Sequence, residues 1–110
     1  MPFIELADIQ EAEPVEGYHG RFVHAETMTV ASWSIEANAV IPEHAHPHEQ
    51  IACMLEGRFE LTIDGDTQVL EPGSVAVIPS SAPHSGKALT ACRIIDVWHP
   101  TRDDYRGNNE

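Results

Sequence analysis

Short stretches in which apolar and polar residues alternate, each ended by a turn signal, constrain the fold of this 110-residue chain most strongly. The sequence RFELTI at 58–63 alternates with a period of two, and Asp64-Gly65 then precedes a second run that ends at Leu70. Asp-Gly between two such runs is a strong signal for a β-hairpin. Similar runs cover 21–26, 28–36, 50–56, 74–78 and 91–98. Without a helical pattern of ten or more residues, the sequence predicts an all-β sandwich or barrel.

The size and charge of the chain restrict its organisation and its partners. A chain of this length forms one domain. We expect residues 1–20 to form an N-terminal arm or edge strand, residues 21–100 the barrel, and residues 101–110 a polar C-terminal tail that carries Arg102. Eighteen acidic against six basic residues give a formal net charge of −12. This charge argues against nucleic acid and anionic membranes as partners, because both bind basic patches.

The N-terminal sequence and the cysteines indicate the compartment. MPFIELADIQ has no basic region followed by a long apolar stretch, and no apolar run approaches the length of a membrane span. Cys53 and Cys92 both occupy apolar strand positions without C-x-x-C spacing, which is typical of reduced cysteines that pack as small apolar residues. We therefore expect a cytoplasmic protein.

Three histidines form the first cluster with chemical potential. His44 and His46 are two residues apart, so in a β-strand they would present two imidazoles on the same face. Two adjacent imidazoles are the simplest beginning of a metal site on a strand. His84, in a loop bounded by Pro79 and Pro83, offers a third imidazole.

The residues that follow the histidine pair extend this cluster. Pro47 interrupts strand pairing, and we expect a bend over residues 47–49. Gln50 would then begin the next strand and face back toward the pair, whereas Glu49 would turn outward. His48 lies on the bend, where it contacts either substrate or solvent.

A second cluster lies near the end of the chain. If Ile94 faces the interior of the barrel, the strand parity turns Asp96 and Trp98 inward as well. A buried acid costs several kcal/mol unless it is paired or protonated, so packing alone would not favour it there. With the opposite parity, Asp96 is a solvated edge residue. Trp98 would stack on a sugar ring or plug the barrel end, and Arg102 would clamp a carboxylate or lie in a solvated tail.

Two motifs make the sequence resemble the cupin superfamily of small jelly-roll barrels. The family pattern G-x5-H-x-H-x3,4-E-x6-G is matched by Asn38, His44, His46, Gln50 and Gly57. The pattern G-x5-P-x-G-x2-H-x3-N is matched by Gly73, Pro79, Ser81, His84 and Ala88. The departures are Asn38, Ser81 and Ala88 at structural positions, and Gln50 where most members carry Glu. The resemblance implies a single-domain double-stranded β-helix.

The same resemblance implies one bound divalent transition metal. It places four residues on the ion: His44, His46, Gln50 and His84. Three neutral imidazoles and an amide oxygen suit Ni, Zn, Fe, Co or Mn. Because no ligand is a carboxylate, the ion keeps its full charge, which favours Lewis-acid chemistry over the iron oxygenase chemistry of two-histidine, one-carboxylate sites.

The run H-x-H-P-H-E-Q and the terminal D-x-(aromatic)-x-x-x-R are similar to KdgF-type cupins. These convert 4,5-unsaturated monouronates from pectin and alginate breakdown to linear keto sugars. The resemblance implies active-site roles for Asp96, Trp98 and Arg102, with Trp98 standing where that group usually has Phe. It implies a metal-dependent isomerase, a small anionic sugar substrate and a homodimer joined through the N-terminal segment. The alternatives are a metal-dependent small-molecule dioxygenase and a non-catalytic cupin that binds a sugar or metabolite.

Overall fold

The computed structural model describes residues 3–106, and the regular secondary structure over this range is almost entirely β-strand. The strands are β1 (Ala12–Val15), β2 (Tyr18–His24), β3 (Thr29–Ile35), β4 (Val40–His44), β5 (Glu49–Glu56), β6 (Phe59–Ile63), β7 (Asp66–Leu70), β8 (Val75–Ile78), β9 (His84–Ala88) and β10 (Cys92–His99). A 3-10 turn at Leu6–Asp8 precedes them, and a four-residue helix α1 (Asp103–Arg106) follows them. The all-β prediction is confirmed.

Two antiparallel sheets form the walls of the barrel. The larger sheet has the strand order β1-β2-β3-β10-β5-β8, and the smaller has the order β4-β9-β6-β7. Consecutive strands of the chain often lie in different sheets, as expected for a jelly roll. The Asp64-Gly65 hairpin is present: Ile63 pairs with Asp66, and both turn residues have positive φ.

Alternation along the strands decides which side chains fill the barrel. In β10 the buried positions are Cys92, Ile94 and Trp98, so Asp96 shares their inward face. Strand β3 runs beside β10 and buries every second residue from Thr29 to Ile35, including Trp33. The two sheets together enclose a core of aliphatic and aromatic side chains.

The N-terminal segment contributes a strand at the edge of the larger sheet. Strand β1 pairs with β2, and β2 begins at Tyr18, three residues before the start expected from the sequence. Gly17, which joins the two strands, has φ of 83° and lies against Ala39, leaving no room for a side chain there. Among the described residues no helix is long and apolar enough to cross a membrane.

Candidate metal centre and active site

Three histidines from two strands and one loop converge at one end of the barrel. His44 ends β4 and lies directly opposite His84, the first residue of β9. His46 lies in the connection to β5, so the prediction that His44 and His46 belong to one strand is wrong, although their rings remain neighbours. The ring centroid of His84 lies 4.2 Å from that of His44 and 4.9 Å from that of His46. One ligand nitrogen from each imidazole lies within 4.8 Å of the others.

Backbone carbonyls fix the orientation and tautomer of each imidazole. The Nδ1 of His44 lies 2.9 Å from the Pro42 carbonyl oxygen, and that of His84 lies 2.9 Å from the Ala82 oxygen. The Nδ1 of His46 is bonded to the His48 carbonyl at 3.1 Å. A carbonyl oxygen only accepts, so each Nδ1 carries the proton and each Nε2 retains a lone pair. This is the arrangement in which imidazoles bind metal ions.

Gln50 completes the set of possible ligands. Its side chain is buried, and its Oε1 lies 3.2 Å from Nε2 of His46. With Nδ1 of His46 protonated, both of these atoms are acceptors, and two partly buried acceptors at this separation are stabilised by a cation that contacts both. The donor set therefore fits a divalent metal held by His44, His46, Gln50 and His84.

The environment of the site favours the neutral forms of His46 and His84. Burial, with a smaller contribution from the charge of Arg102, lowers the pKa of His46 to about 4. Burial also lowers the pKa of His84. Neutral imidazoles are available as ligands without first losing a proton.

A neighbouring loop holds the segment that carries His46. The backbone N–H of Ser81 donates to the His46 carbonyl at 2.8 Å, and the Ser80 hydroxyl donates to the Pro47 carbonyl at 2.7 Å. His48 is half-buried and its Nε2 lies 3.2 Å from the Thr101 carbonyl. His48 thus joins the bend to the C-terminal segment, and Glu49 is exposed, as predicted.

A cavity extends from the histidines into the barrel. Its empty volume, including the open mouth, is about 670 Å³. The polar side chains that line it include His44, His46, Gln50, His84, Asp96 and Arg102. Aromatic and aliphatic side chains form the rest of the wall. Sequence reasoning placed these six polar residues in two separate clusters, and the fold brings them to one cavity.

Asp96 presents a buried carboxylate to this cavity. Its flanking partners across the sheet are Ala31 and Ala52, whose small side chains leave space beside it. The indole N–H of Trp33 donates to Oδ2 at 2.9 Å, whereas Oδ1 is buried without a well-formed hydrogen bond among the described residues. Burial raises the pKa of Asp96 to about 6, opposed in part by Gln50 and Trp33.

Arg102 is buried at the cavity mouth rather than solvated. Its exposed fraction is 8%, and its guanidinium lies 5.0 Å from the ring centroid of Trp98 and 4.2 Å from that of Tyr105. Nε and Nη2 donate to the two carboxylate oxygens of Asp104 at 3.0 and 2.7 Å. The backbone N–H of Arg102 donates to Thr29. The fork of Arg102 therefore already binds a carboxylate from its own chain.

Sequence reasoning missed three residues of this site: Trp33, Asp104 and Tyr105. The inward parity of Trp33 was readable from the alternation in residues 28–36, but its contact with Asp96 depends on the pairing of β3 with β10. His19 and His24 lie outside the site, with neighbours Glu36 and Thr29 respectively.

Comparison with known proteins identifies the fold and its relatives. A family model for the cupin domain, Cupin_2, matches residues 31–98. An uncharacterized protein of Streptomyces coelicolor is 21% identical over 86 residues, which cover 77% of this chain and 82% of that protein.

Solved structures agree with this match. An RmlC-like cupin from Shewanella frigidimarina has 23% identity and a TM-score of 0.90, with 96% of both chains covered. KdgF from a Halomonas species has 26% identity and a TM-score of 0.88, over 96% of this chain and 98% of that chain. Oxalate decarboxylase of Bacillus subtilis has 21% identity and a TM-score of 0.77, over 88% of this chain but 29% of that chain. The jelly-roll fold is confirmed.

Proposed function

Because the chain belongs to the cupin domain family, we propose that it is a metal-dependent enzyme that converts 4,5-unsaturated monouronates to linear keto sugars. Cupins serve many chemistries, so the proposal depends on the site rather than on the fold. The observation that carries it is the meeting of a three-histidine, one-glutamine ligand set with a buried carboxylate and a buried arginine in one cavity. The likeness to KdgF supports the class of substrate.

The four ligands define what a bound ion would contribute. A divalent transition metal (Ni, Zn, Fe, Co or Mn) held by His44, His46, Gln50 and His84 would supply a positive charge that stabilises oxyanion character in the substrate. All four side chains are neutral, so none of them offsets that charge. An anionic uronate is accordingly a suitable ligand for this end of the cavity, in spite of the net charge of −12.

Asp96 is the group placed to move a proton. Its Oδ1 lacks a well-formed hydrogen bond, whereas Oδ2 is held by Trp33. Burial raises the pKa of this carboxyl to about 6, which brings it close to the pH at which a general acid or base works best. Oδ1 would take the proton from one substrate atom and return it to another as the ring opens.

Arg102 is the group placed to bind the substrate carboxylate. Its fork already holds the carboxylate of Asp104, an exposed residue of α1. A substrate carboxylate of the same shape would take over this fork, with Asp104 released to solvent. Trp98 is 2% exposed and lies beneath the guanidinium, so its ring supports Arg102 and forms the cavity wall.

An absorbance assay tests this function. Protein of known metal content is mixed with 4,5-unsaturated galacturonate, and loss of the ultraviolet band of the conjugated double bond is followed against the spontaneous rate. We expect acceleration, and a chelator should remove it. Asp96→Asn and Arg102→Ala should each lower the rate by at least about 100-fold. Arg58→Ala and Asp66→Asn, which alter exposed residues of the same types, are the matched controls and should keep full activity.

The negative outcomes separate the alternative functions. No acceleration by fully metal-loaded protein would contradict the proposal. Oxygen uptake with ferrous ion would then indicate a dioxygenase. Thermal stabilisation by the uronate without product would indicate a binding protein.

A further inference from the structure

His48 is the histidine of the H-x-H-P-H-E-Q run to which the proposed reaction gives no role. It lies between two of the candidate ligands, His46 and Gln50, on the bend that precedes β5. Its ring is half-buried and stands edge-on to the ring of His46, with the two centroids 5.4 Å apart. His48 therefore packs against the candidate metal centre without belonging to its histidine cluster.

Two groups of His48 contact different parts of the site. Its backbone carbonyl accepts the Nδ1–H of His46 at 3.1 Å, and its ring Nε2 lies 3.2 Å from the carbonyl oxygen of Thr101. A carbonyl oxygen only accepts, so Nε2 of His48 carries a proton and donates the hydrogen bond. Because Thr101 immediately precedes Arg102, this hydrogen bond joins the segment of a metal ligand to the segment of the arginine that binds carboxylates.

The other ring nitrogen indicates why a histidine occupies this position. Nδ1 of His48 is buried and has no hydrogen-bond partner among the described residues. A buried acceptor without a partner costs free energy, and an apolar side chain of similar volume would avoid that cost. Packing alone therefore does not account for His48, whereas the hydrogen bond from Nε2 to Thr101 does.

The segment that carries Arg102 has two further anchors that lead away from the histidines. The Thr101 hydroxyl donates to the Glu26 carbonyl at 3.2 Å, and the Arg102 N–H donates to the Thr29 hydroxyl at 2.9 Å. These hydrogen bonds attach the segment to β3 and to the loop before it. His48 adds the attachment to the bend before β5, and thereby sets the position of the segment relative to the metal ligands.

A groove at the mouth of the cavity follows this connection. Its wall includes His46, His48, Thr101 and Arg102. His46 and Arg102 also line the cavity, so the groove and the cavity meet at a metal ligand and at the arginine. A substrate that contacts both ends must match their separation, and it binds with less loss of entropy when that separation is already fixed.

We propose that His48 is a positioning residue whose hydrogen bond to Thr101 fixes Arg102 relative to the metal ligands, so that one uronate contacts the arginine and the ion together. This role rests on the proposed function, because it concerns how the same site holds the same substrate. Without the hydrogen bond, the segment keeps its two other anchors but moves relative to His46. Substrate binding then requires additional ordering, while the metal ligands keep their own hydrogen bonds.

Replacement of His48 by two side chains of similar length tests this role. Glutamine keeps an N–H donor close to the position of Nε2, and methionine has no donor. We expect His48→Met to raise KM for 4,5-unsaturated galacturonate about 10-fold, as for the loss of one hydrogen bond, with kcat changed less than about 2-fold. His48→Gln should keep KM within about 3-fold of the wild-type value.

Two measurements without substrate separate positioning from a purely structural role. The metal affinity of both variants, measured by competition with a chelator, should equal that of the wild type, because the hydrogen bond that orients His46 uses the His48 backbone. Hydrogen exchange at Nε of Arg102, followed by NMR, should be faster in His48→Met than in His48→Gln. Weaker metal binding in His48→Met alone would overturn the positioning role and assign the His48 side chain to support of the metal centre.

The wild type separates failure of this role from failure of the proposed function. Wild-type turnover with equal KM values in His48→Met and His48→Gln, or with equal exchange at Arg102, would overturn the role of His48 and leave the proposed function intact. No turnover by the metal-loaded wild type would overturn both.

Discussion

Ser81 and Asn38 take left-handed backbone conformations, with φ of 64° and 72°, at positions where the cupin motifs carry glycine. A serine at positive φ is strained by its Cβ, and glycine is not. We expect Ser81→Gly to raise the free energy of unfolding by about 0.5–1 kcal/mol. Urea denaturation measures this change. The hydrogen bond from the Ser81 N–H to His46 is retained because it uses only the backbone.

Two further substitutions check that the backbone causes this effect. Asn38→Gly should stabilise less, because asparagine tolerates positive φ better than serine does. Gly65→Ala should destabilise the protein, because Gly65 has φ of 81°. A Cβ there would meet no neighbouring atom within 4 Å, so the loss would come from the backbone conformation alone. Loss of stability in Ser81→Gly would contradict the prediction and indicate that the Ser81 side chain has a role of its own.

Two buried tryptophans differ in what their indole N–H groups bind. Trp33 donates to Oδ2 of Asp96, whereas Nε1 of Trp98 has no partner among the described residues. We expect Trp33→Phe to lower kcat of the proposed reaction by about 10–100-fold with little change in KM, because it frees the Asp96 carboxylate to rotate. Steady-state kinetics with the unsaturated uronate measure both constants.

Trp98→Phe is the matched control for this prediction. It removes an indole of similar burial without breaking a hydrogen bond, so kcat should change much less than in Trp33→Phe. Equal losses of kcat in both variants would show that ring volume, and not the bond to Asp96, matters. Metal content measured in both variants excludes an indirect effect through the ligands.

At the level of single elements, local pattern predicted most strands and the orientation of their residues. The alternation placed Asp96 on the same face as Ile94 and Trp98 but left the inward and outward alternatives open, and the structure shows that this face points inward. Contacts between distant elements were not predictable in this way. Trp33 and Asp96 are 63 residues apart and meet only because β3 pairs with β10.

The C-terminal segment is a second case in which the local sequence pattern did not reveal how a residue packs. Its composition is polar, which suggests solvent exposure, yet Arg102 is buried between Trp98 and Tyr105. The guanidinium tolerates burial because Asp104 neutralises it and the rings lie against its faces. Such compensation depends on side-chain packing in three dimensions, and polarity along the sequence does not report it.

The edge strand β1 is joined to its neighbours by a titratable cluster. His19 of β2 lies 2.6 Å from a carboxylate oxygen of Glu36, with Glu13 and Glu11 also close. Its hydrogen bond to Glu36, then the charges of Glu13 and Glu11, raise the pKa of His19 above its ordinary value of 6.5. The cluster therefore stabilises the fold below pH 6.5, and this contribution is lost as the pH rises through the raised pKa.

An NMR titration of the His19 ring measures this pKa directly. We expect a midpoint above 6.5 in the wild type and a lower one in Glu36→Gln, which removes the main cause of the shift. Glu26→Gln, a change of an exposed residue outside the cluster, should leave the midpoint in place. A wild-type midpoint at or below 6.5 would show that the cluster does not form in solution.

For the whole molecule, the candidate metal centre lies where the two sheets of the barrel meet. His44 and His84 belong to the smaller sheet, and Gln50 belongs to the larger one. An ion bound by all of them would connect the sheets in the folded protein only. Such a ligand stabilises the native state by about 2.7 kcal/mol when its free concentration is 100 times Kd. We therefore expect a higher melting temperature after loading with a divalent transition metal.

Thermal unfolding of metal-free and metal-loaded protein tests this coupling across a series of Mn, Fe, Co, Ni and Zn. His84→Ala should abolish the increase in melting temperature, because it removes one of the four ligands. His99→Ala changes an exposed histidine that belongs to neither group of possible metal ligands, and it should preserve the increase. An increase that survives in His84→Ala would place the ion elsewhere, and no increase with any of the five metals would contradict the metal centre. Since unfolding is measured without substrate, this result is independent of whether the proposed reaction is correct.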